Sequence, residues 1–177
     1  MKREPTSEMK IYYHSPIGIL ELSGDEKGLR SCSFVREKKG QEGLAGSSLP
    51  VVVPRPLKEA WQQLDQYFKG QRQRFSVKLN LSGSPFQKKV WEKLKEIPFG
   101  QTRSYKDIAV ACGHPAAFRA VGGANHKNPV VIIIPCHRVI GRDGRLIGFG
   151  AGLWRKKWLL QHEKNLVSPL PGFKKKK

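Results

Sequence analysis

An uninterrupted apolar run over residues 130–134 ends at Pro135, and Cys136, His137 and Arg138 follow directly. Such a run becomes a buried strand or a buried extended segment. Pro135 has no backbone N–H to give to a sheet ladder, so the segment is expected to end where Cys136 begins. That places one thiol on a stiff, buried support facing a cavity. A cysteine met at random is core packing, since free cysteine is among the most buried residue types. Here His137, Arg138 and Arg142 follow closely. Positive neighbours lower a thiol's pKa and favour the thiolate, which points to a reactive Cys136.

Charge narrows the partners. The 177 residues hold 33 Lys+Arg against 14 Asp+Glu, a formal net charge of +19. A balance this basic implies a polyanionic partner, with nucleic acid ahead of an anionic membrane. Residues 1–82 carry a net +5 and residues 83–177 a net +14. No stretch approaches the roughly 18 apolar residues that span a bilayer, and no signal-peptide core follows Met1, so no membrane association is expected. Cys32, Cys112 and Cys136 show no metal-ligand spacing. No metal and no cofactor is therefore expected, and reduced thiols fit a cytoplasmic protein, or a nuclear one in a eukaryotic cell.

The pattern divides into an N-terminal α/β domain over residues 1–82 and a helical domain over residues 83–170, with a basic disordered tail at 171–177. Residues 10–13, 17–22 and 29–35 read as a three-strand meander with turns at Ser15-Pro16 and at residues 25–28. Residues 36–50 are polar and glycine-rich and read as a mobile loop. Leu57, Trp61, Leu64 and Phe68 form one helical stripe over residues 56–68, opened by Pro56 and stopped by Gly70. Phe75, Val77, Leu79 and Leu81 alternate with polar residues, the mark of a half-buried strand.

The second domain opens at Ser84-Pro85, a helix start with Phe86, Val90, Trp91 and Leu94 on its buried face. Ser104 and Asp107 form a capping box for a helix ending near Cys112. After Gly113-His114-Pro115, residues 116–124 form a second helix, and the two helices with a three- or four-residue turn make a helix-turn-helix. The second helix is built of small residues, with Arg119 projecting among them. Such a helix lets a backbone approach another surface closely, either a neighbouring helix or a DNA groove. Residues 141–145 read as an Asp-Gly hairpin turn. Gly148, Gly150 and Gly152 mark a flexible loop around Phe149. A final helix over residues 153–162 uses Leu153, Trp154, Trp158, Leu159 and His162 as buried and flanking positions, and Glu163 closes it.

These residues resemble the O-6-alkylguanine-DNA alkyltransferases, also called methylated-DNA–protein-cysteine methyltransferases. The resemblance rests on Pro135-Cys136-His137-Arg138-Val139. It extends through residues 98–105, Arg119-Ala120-Val121-Gly122-Gly123-Ala124, Asn128-Pro129, Gly148-Phe149 and residues 158–163. In the N-terminal domain it is weaker, chiefly Ser15-Pro16-Ile17-Gly18 and Gly28-Leu29. It implies a ribonuclease-H-like α/β domain followed by a winged-helix/helix-turn-helix domain. It also implies direct-reversal DNA repair, in which a monomer transfers an alkyl group once and irreversibly to a cysteine. The alkyl group comes from O6 of guanine, with O4 of thymine as a second candidate position. The partner is double-stranded DNA, bound through the minor groove with base flipping.

The resemblance also implies roles. Cys136 is the acceptor, His137 and Glu163 join it through a water, Asn128 braces the turn, and Tyr105 gives a proton to guanine N3. Arg119 fills the space of the flipped base, and Ser104, Ala120, Gly123 and Asn125 face the DNA. Val139, Phe149, Gly150, Ala151 and Lys156 line the pocket, with the carbonyls of Cys136 and Val139 receiving the guanine edge. Asn125 stands where many relatives have methionine, Phe149 where tyrosine is common, and Ala151 where glycine is common. Ala151 is expected to narrow the pocket. The zinc site of some relatives' N-terminal domains is matched here only by Cys32 and His14. Two other readings of the residues stand beside this one. A non-catalytic helix-turn-helix binder leaves Cys136 unused, and a cysteine hydrolase leaves the basic domain unused.

Overall fold

The computed structural model describes residues 8–35 and 49–167. Of the loop expected over residues 36–50, residues 36–48 lie outside the described residues, as does the basic tail at 171–177. The chain forms two compact units. Among the described residues, one takes in those up to Ser84 together with Pro129–Ile133, and the other takes in Pro85–Asn128 and residues 134–167.

The first unit is a three-stranded antiparallel meander, β1 (Met9–Ser15), β2 (Gly18–Asp25) and β3 (Gly28–Phe34), with one helix, α1 (Arg55–Phe68). Register follows the apolar alternation, with Ile11 opposite Leu22 and Tyr13 opposite Leu20, so all four side chains fall on the buried face. α1 covers that face with Leu57, Ala60, Leu64, Tyr67 and Phe68. Trp61 is only half-buried, and its indole N–H donates to the Tyr12 carbonyl at 3.1 Å. Tyr13 meets Trp61 edge-on at 5.4 Å and stacks on Phe68 at 5.8 Å. Each fully buried leucine of this core contributes about 1.5–3 kcal/mol.

The strand expected over residues 75–81 does not form as an element. Its side chains do alternate between half-buried and exposed over residues 75–79. The reason it gains no ladder lies in the outer edge of β3, which two segments share. At Leu29 the edge pairs with residues 78–80, through Leu29 N–H to Lys78 O and Asn80 N–H to Leu29 O, both 2.9 Å. A register shift follows. Beyond it, Cys32 N–H donates to Pro129 O at 2.8 Å and Val131 N–H to Cys32 O at 2.9 Å. Gly28, at φ 151°, is needed because a Cβ there would lie 2.9 Å from the backbone of Leu79 and Asn80.

The second unit begins with α2 (Pro85–Lys95), which buries Val90, Trp91 and Leu94, while Phe86 is only half-buried. A turn at residues 98–101 leads to β4 (Arg103–Ser104) and α3 (Tyr105–Ala111), with the Ser104–Asp107 capping box formed in both directions. α4 runs Phe118–His126, two residues later than the sequence suggests, so the turn of the helix-turn-helix is six residues long, 112–117. Trp91 Nε1 donates to Ala124 O at 2.9 Å and pins α2 to α4.

The apolar run is buried but not extended. Ile132 has φ 72°, and Ile133 N–H closes on Val131 O at 2.9 Å, a tight turn that a β-branched residue adopts only under constraint. Pro135, at φ −80° and ψ 62°, forms an inverse γ-turn closed by Cys136 N–H to Ile134 O at 2.8 Å. Cys136–Arg138 is then a single 3-10 turn, and β5 (Val139–Ile140) pairs in parallel with β4. The turn at residues 141–145 closes through Gly141 N–H to Arg145 O, but the strand before it pairs with β4 rather than in a hairpin. The last helix, α5 (Leu153–Val167), continues four residues past Glu163. Leu153 and Trp154 are exposed, and the buried stripe is Lys156, Leu159 and Glu163. Among the described residues no helix is long and apolar enough to cross a membrane.

Candidate active site

Cys136 sits at the start of the 3-10 turn, 3% exposed. The turn is braced from α4's end by Asn128, whose Nδ2 donates to Ile134 O at 2.8 Å. Positive sequence neighbours do not set the thiol's pKa as expected. Burial pushes the Cys136 thiol above its ordinary value. A hydrogen bond from the Asn128 side chain, the charge of Lys156 and nearby backbone N–H groups pull it part of the way back. Arg138 serves a different partner.

That partner is Glu163, fully buried on α5. Arg138 grips it with Nε to Oε2 at 2.9 Å and Nη2 to Oε1 at 3.0 Å, and donates its Nη1 to Ile97 O at 2.7 Å. Gly100 N–H adds a bond to Oε2 at 3.0 Å, delivered by a φ of 74° that glycine accepts freely. His137 Nε2 lies 2.7 Å from Oε1. Burial alone would raise the Glu163 pKa, but His137 and Arg138 outweigh it and hold the carboxyl far below its ordinary range. An ionised carboxylate accepts, so His137 Nε2 carries the proton and Nδ1 is the bare nitrogen. Burial, partly offset by Glu163, lowers the His137 pKa and keeps the ring neutral. Nδ1 is buried and has no hydrogen-bond partner among the described residues.

Lys156, also fully buried, points its ammonium at three carbonyls: Val139 at 2.5 Å, Ile147 at 2.7 Å and Gly148 at 3.3 Å. Desolvation lowers its pKa to about 8. Tyr105, the first residue of α3, donates its hydroxyl to Ile147 O at 3.1 Å, and burial raises its pKa. The glycine loop is thus tied down at residues 147–148 by two side chains. Phe149 and Ala151 are half-buried and Gly150 is exposed, and Gly152 N–H closes a turn onto Phe149 O.

α4 divides its residues by face. Arg119, Ala120 and Gly123 are exposed, whereas Val121, Ala124 and Asn125 are buried. A Cβ on Gly123 would meet nothing within 4 Å, so no packing within the protein requires glycine there. Asn125 corrects the sequence reading. It is 5% exposed and turns inward, with Nδ2 3.4 Å from Cys136 O, and so does not belong to the outward face. Ser104 is half-buried, its hydroxyl committed to Asp107 N–H at 3.1 Å. Sequence reasoning missed Arg138 and Gly100 as partners of Glu163. The adjacency of Arg138 to His137 was the available signal, since neighbouring side chains on one tight turn can reach the same carboxylate. Among the described residues no three His, Cys, Asp or Glu side chains gather as a metal site.

A helix-turn-helix with a small-residue outer face, backed by a buried thiol and a Glu–His–Arg cluster, defines a protein that pairs a helical DNA-binding architecture with a cysteine site. Residues 9–81 match the ribonuclease-like domain of 6-O-methylguanine DNA methyltransferase, and residues 85–165 match its DNA binding domain. The methylated-DNA–protein-cysteine methyltransferase of Methanosarcina barkeri is 49% identical over 158 residues, 88% of this chain and 98% of that one. That of Mycobacterium leprae is 55% identical over 153 residues, 86% and 90% of the two chains. The crystal structure of the Mycobacterium tuberculosis O6-methylguanine methyltransferase superposes with a TM-score of 0.78 at 40% identity, covering 92% and 96%. A structure of the M. tuberculosis protein in complex with DNA gives 0.73 at 43%, covering 90% and 93%. The chain belongs to the 6-O-methylguanine DNA methyltransferase family.

Proposed function

We propose that this chain repairs double-stranded DNA by moving a methyl or other alkyl group from O6 of guanine to Cys136, once per molecule. The observation that supports it most is the buried thiol on a braced turn, beside a histidine whose proton is fixed on the far nitrogen by Glu163. An O-alkyl carbon is a weak electrophile, so the thiol must act as thiolate. His137 Nδ1 is the base, taking the thiol proton through a bridging water. Sulfur then bonds to the alkyl carbon as the carbon–O6 bond breaks, and the electron pair leaves with the guanine. Tyr105 delivers a proton to guanine N3, so the leaving base departs neutral. Lys156 supplies the positive charge that favours the thiolate. Among the described residues no group beside Cys136 is able to cleave the thioether product, which makes the reaction single-turnover.

The reacting atom lies inside the duplex, so the nucleotide must be flipped out. The exposed face of α4 suits the minor groove, with Ala120 and Gly123 allowing close approach and Arg119 filling the vacated stack. Val139, Phe149, Gly150 and Ala151 bound the pocket, with Ser104 at its DNA-facing rim. Residues 83–170 carry both DNA binding and transfer, and the protein acts as a monomer. Incubation with duplex carrying a labelled methyl on guanine O6 tests the reading. Label should pass to the peptide containing Cys136, at most one per molecule. Label on Cys32 or Cys112, or repeated turnover, would sink it.

A further inference from the structure

We propose that Ile132 is a positioning residue for the transfer: its left-handed backbone turns the chain so that the Asn128 amide closes on the Ile134 carbonyl and braces the Cys136 turn. This rests on the alkyl-transfer reading above and deepens it.

Among the described residues Ile132 is the one non-glycine residue with a positive φ, at 72°. The bond from Ile133 N–H to Val131 O, 2.9 Å, makes it the centre of a γ-turn of the strained hand. A Cβ is disfavoured there, and a β-branched one most of all. Such a conformation persists only where its surroundings over-determine it, and it clusters at functional sites. Two restraints act on it here. The Ile132 side chain is fully buried. The residues just before it are held in line by β3, through Cys32 N–H to Pro129 O at 2.8 Å and Val131 N–H to Cys32 O at 2.9 Å.

Reach shows what the turn does. Six extended steps would put residues 128 and 134 about 20 Å apart. Asn128 Nδ2 nevertheless donates to Ile134 O at 2.8 Å, so the chain comes back on itself between them. With residues 129–131 committed to pairing, the reversal falls on Ile132. The second turn, at Pro135, is of the relaxed hand and preset by the proline ring at φ −80°. It carries the chain from Ile134 into Cys136. Asn128 also hydrogen-bonds the Cys136 thiol, which favours the thiolate. Ile132 therefore acts on the sulfur through Asn128. The charged and titratable groups that bear on the thiol, Lys156 and Tyr105, and the adjacent His137 are retained in every variant below.

The test sets alanine against glycine, because packing and backbone conformation rank them in opposite order. Wild type, Ile132→Val, Ile132→Ala and Ile132→Gly react in single turnover with a duplex carrying labelled O6-methylguanine, at saturating protein and across pH. Sucrose is present to favour the folded chains. Val130→Ala and Val130→Gly are the packing controls, since Val130 is as deeply buried but outside the left-handed region. Ile132→Val keeps the branch and most of the volume and should stay within about 2-fold of wild type. Ile132→Ala loses the buried anchor but keeps the Cβ penalty, so the turn opens. Transfer should slow by about 10-fold, and its rise with pH should move upward as the thiol loses Asn128. Ile132→Gly removes one carbon more, yet glycine adopts this φ freely. It should be about 5-fold faster than alanine, with a pH profile near that of wild type, and should resist denaturant better than alanine. At residue 130 glycine should be the weaker of the two and the pH profile should not move. Glycine no faster than alanine at residue 132, an unmoved pH profile in Ile132→Ala, or failure of both chains to fold would make Ile132 core packing and overturn the inference. If wild type transfers no methyl, it is the reading of Cys136 that falls, and the order of glycine and alanine in denaturant still tests the turn.

Discussion

Both units of the molecule bury a cysteine, and the two thiols could hardly be set more differently. Cys32 lies in β3 with no exposure, among apolar side chains, and burial alone pushes its thiol to about 12. Cys136 is buried almost as fully, yet a side-chain amide, an ammonium and backbone N–H groups oppose the same desolvation. Depth alone therefore produces an inert thiol. Chemistry requires depth together with fixed dipoles and a base.

The largest test of that contrast removes each sulfur in turn. Cys136→Ala should abolish methyl transfer completely while leaving DNA binding, measured by fluorescence anisotropy, largely intact. Cys32→Ala and Cys112→Ala should keep full stoichiometry of transfer. Cys112 is the sharper control, since Lys89 and Lys93 lie near enough to lower its pKa but burial still raises it.

The next effect separates the two regions by stability. Glu163 is a buried charge with four donors, and Glu163→Gln leaves Arg138 buried without its counter-ion. Removing one partner of a buried pair costs about 3–5 kcal/mol, readable by chemical denaturation. The sign with pH follows from the depressed carboxyl. Its contribution is present above the unfolded-state pKa and is lost as pH falls through the lower folded value. Wild type should therefore lose stability on acidification more steeply than Glu163→Gln.

Lys156→Met should act on the thiol, besides releasing the Val139, Ile147 and Gly148 carbonyls. Without that positive charge the Cys136 pKa rises further, and the rate near neutrality falls about 10-fold. Raising the pH should restore it. In wild type, the ammonium itself titrates near 8, so the gain in rate with pH should flatten there while the variant's continues. A variant profile parallel to wild type would show that Lys156 holds only the loop carbonyls.

What the sequence disclosed follows the range of the interactions. α1, the capping box at Ser104 and the meander are local, and their periods and caps were readable. The strand expected at residues 75–81 had the right alternation, but whether it finds a ladder depends on β3, whose edge is shared with residues 129–131. No pattern announces two-residue strands such as β4 and β5, because two residues carry no periodicity. Cys136 stood out by its own neighbours His137, Arg138 and Arg142, whereas the joining of His137 and Glu163 to it was implied only by the resemblance. The grip of Arg138 on Glu163 and the inward turn of Asn125 depend on how α4, α5 and the 3-10 turn come together. The apolar residues Leu153 and Trp154 suggested a buried helix start, but the buried stripe of α5 includes a lysine and a glutamate, whose partners are distant in sequence.

The smallest expected effect lies on the outer face of the second unit. Arg119 is exposed at the start of α4, its guanidinium 5.9 Å from the Phe118 ring. Flipping a nucleotide costs a few kcal/mol of stacking and pairing, and an inserted side chain offsets part of that. A free alkylated base has no such cost. Arg119→Ala should therefore slow repair in duplex by about 5-fold, slow a mismatched duplex less, and leave reaction with free O6-methylguanine unchanged. Tyr105→Phe supplies the contrast, since losing the proton donor should slow all three substrates. If Arg119 were instead a phosphate contact, its loss would weaken every DNA complex alike. Single-turnover rates at saturating protein remove that binding term. Equal slowing on the two duplexes under those conditions would rule out insertion into the stack.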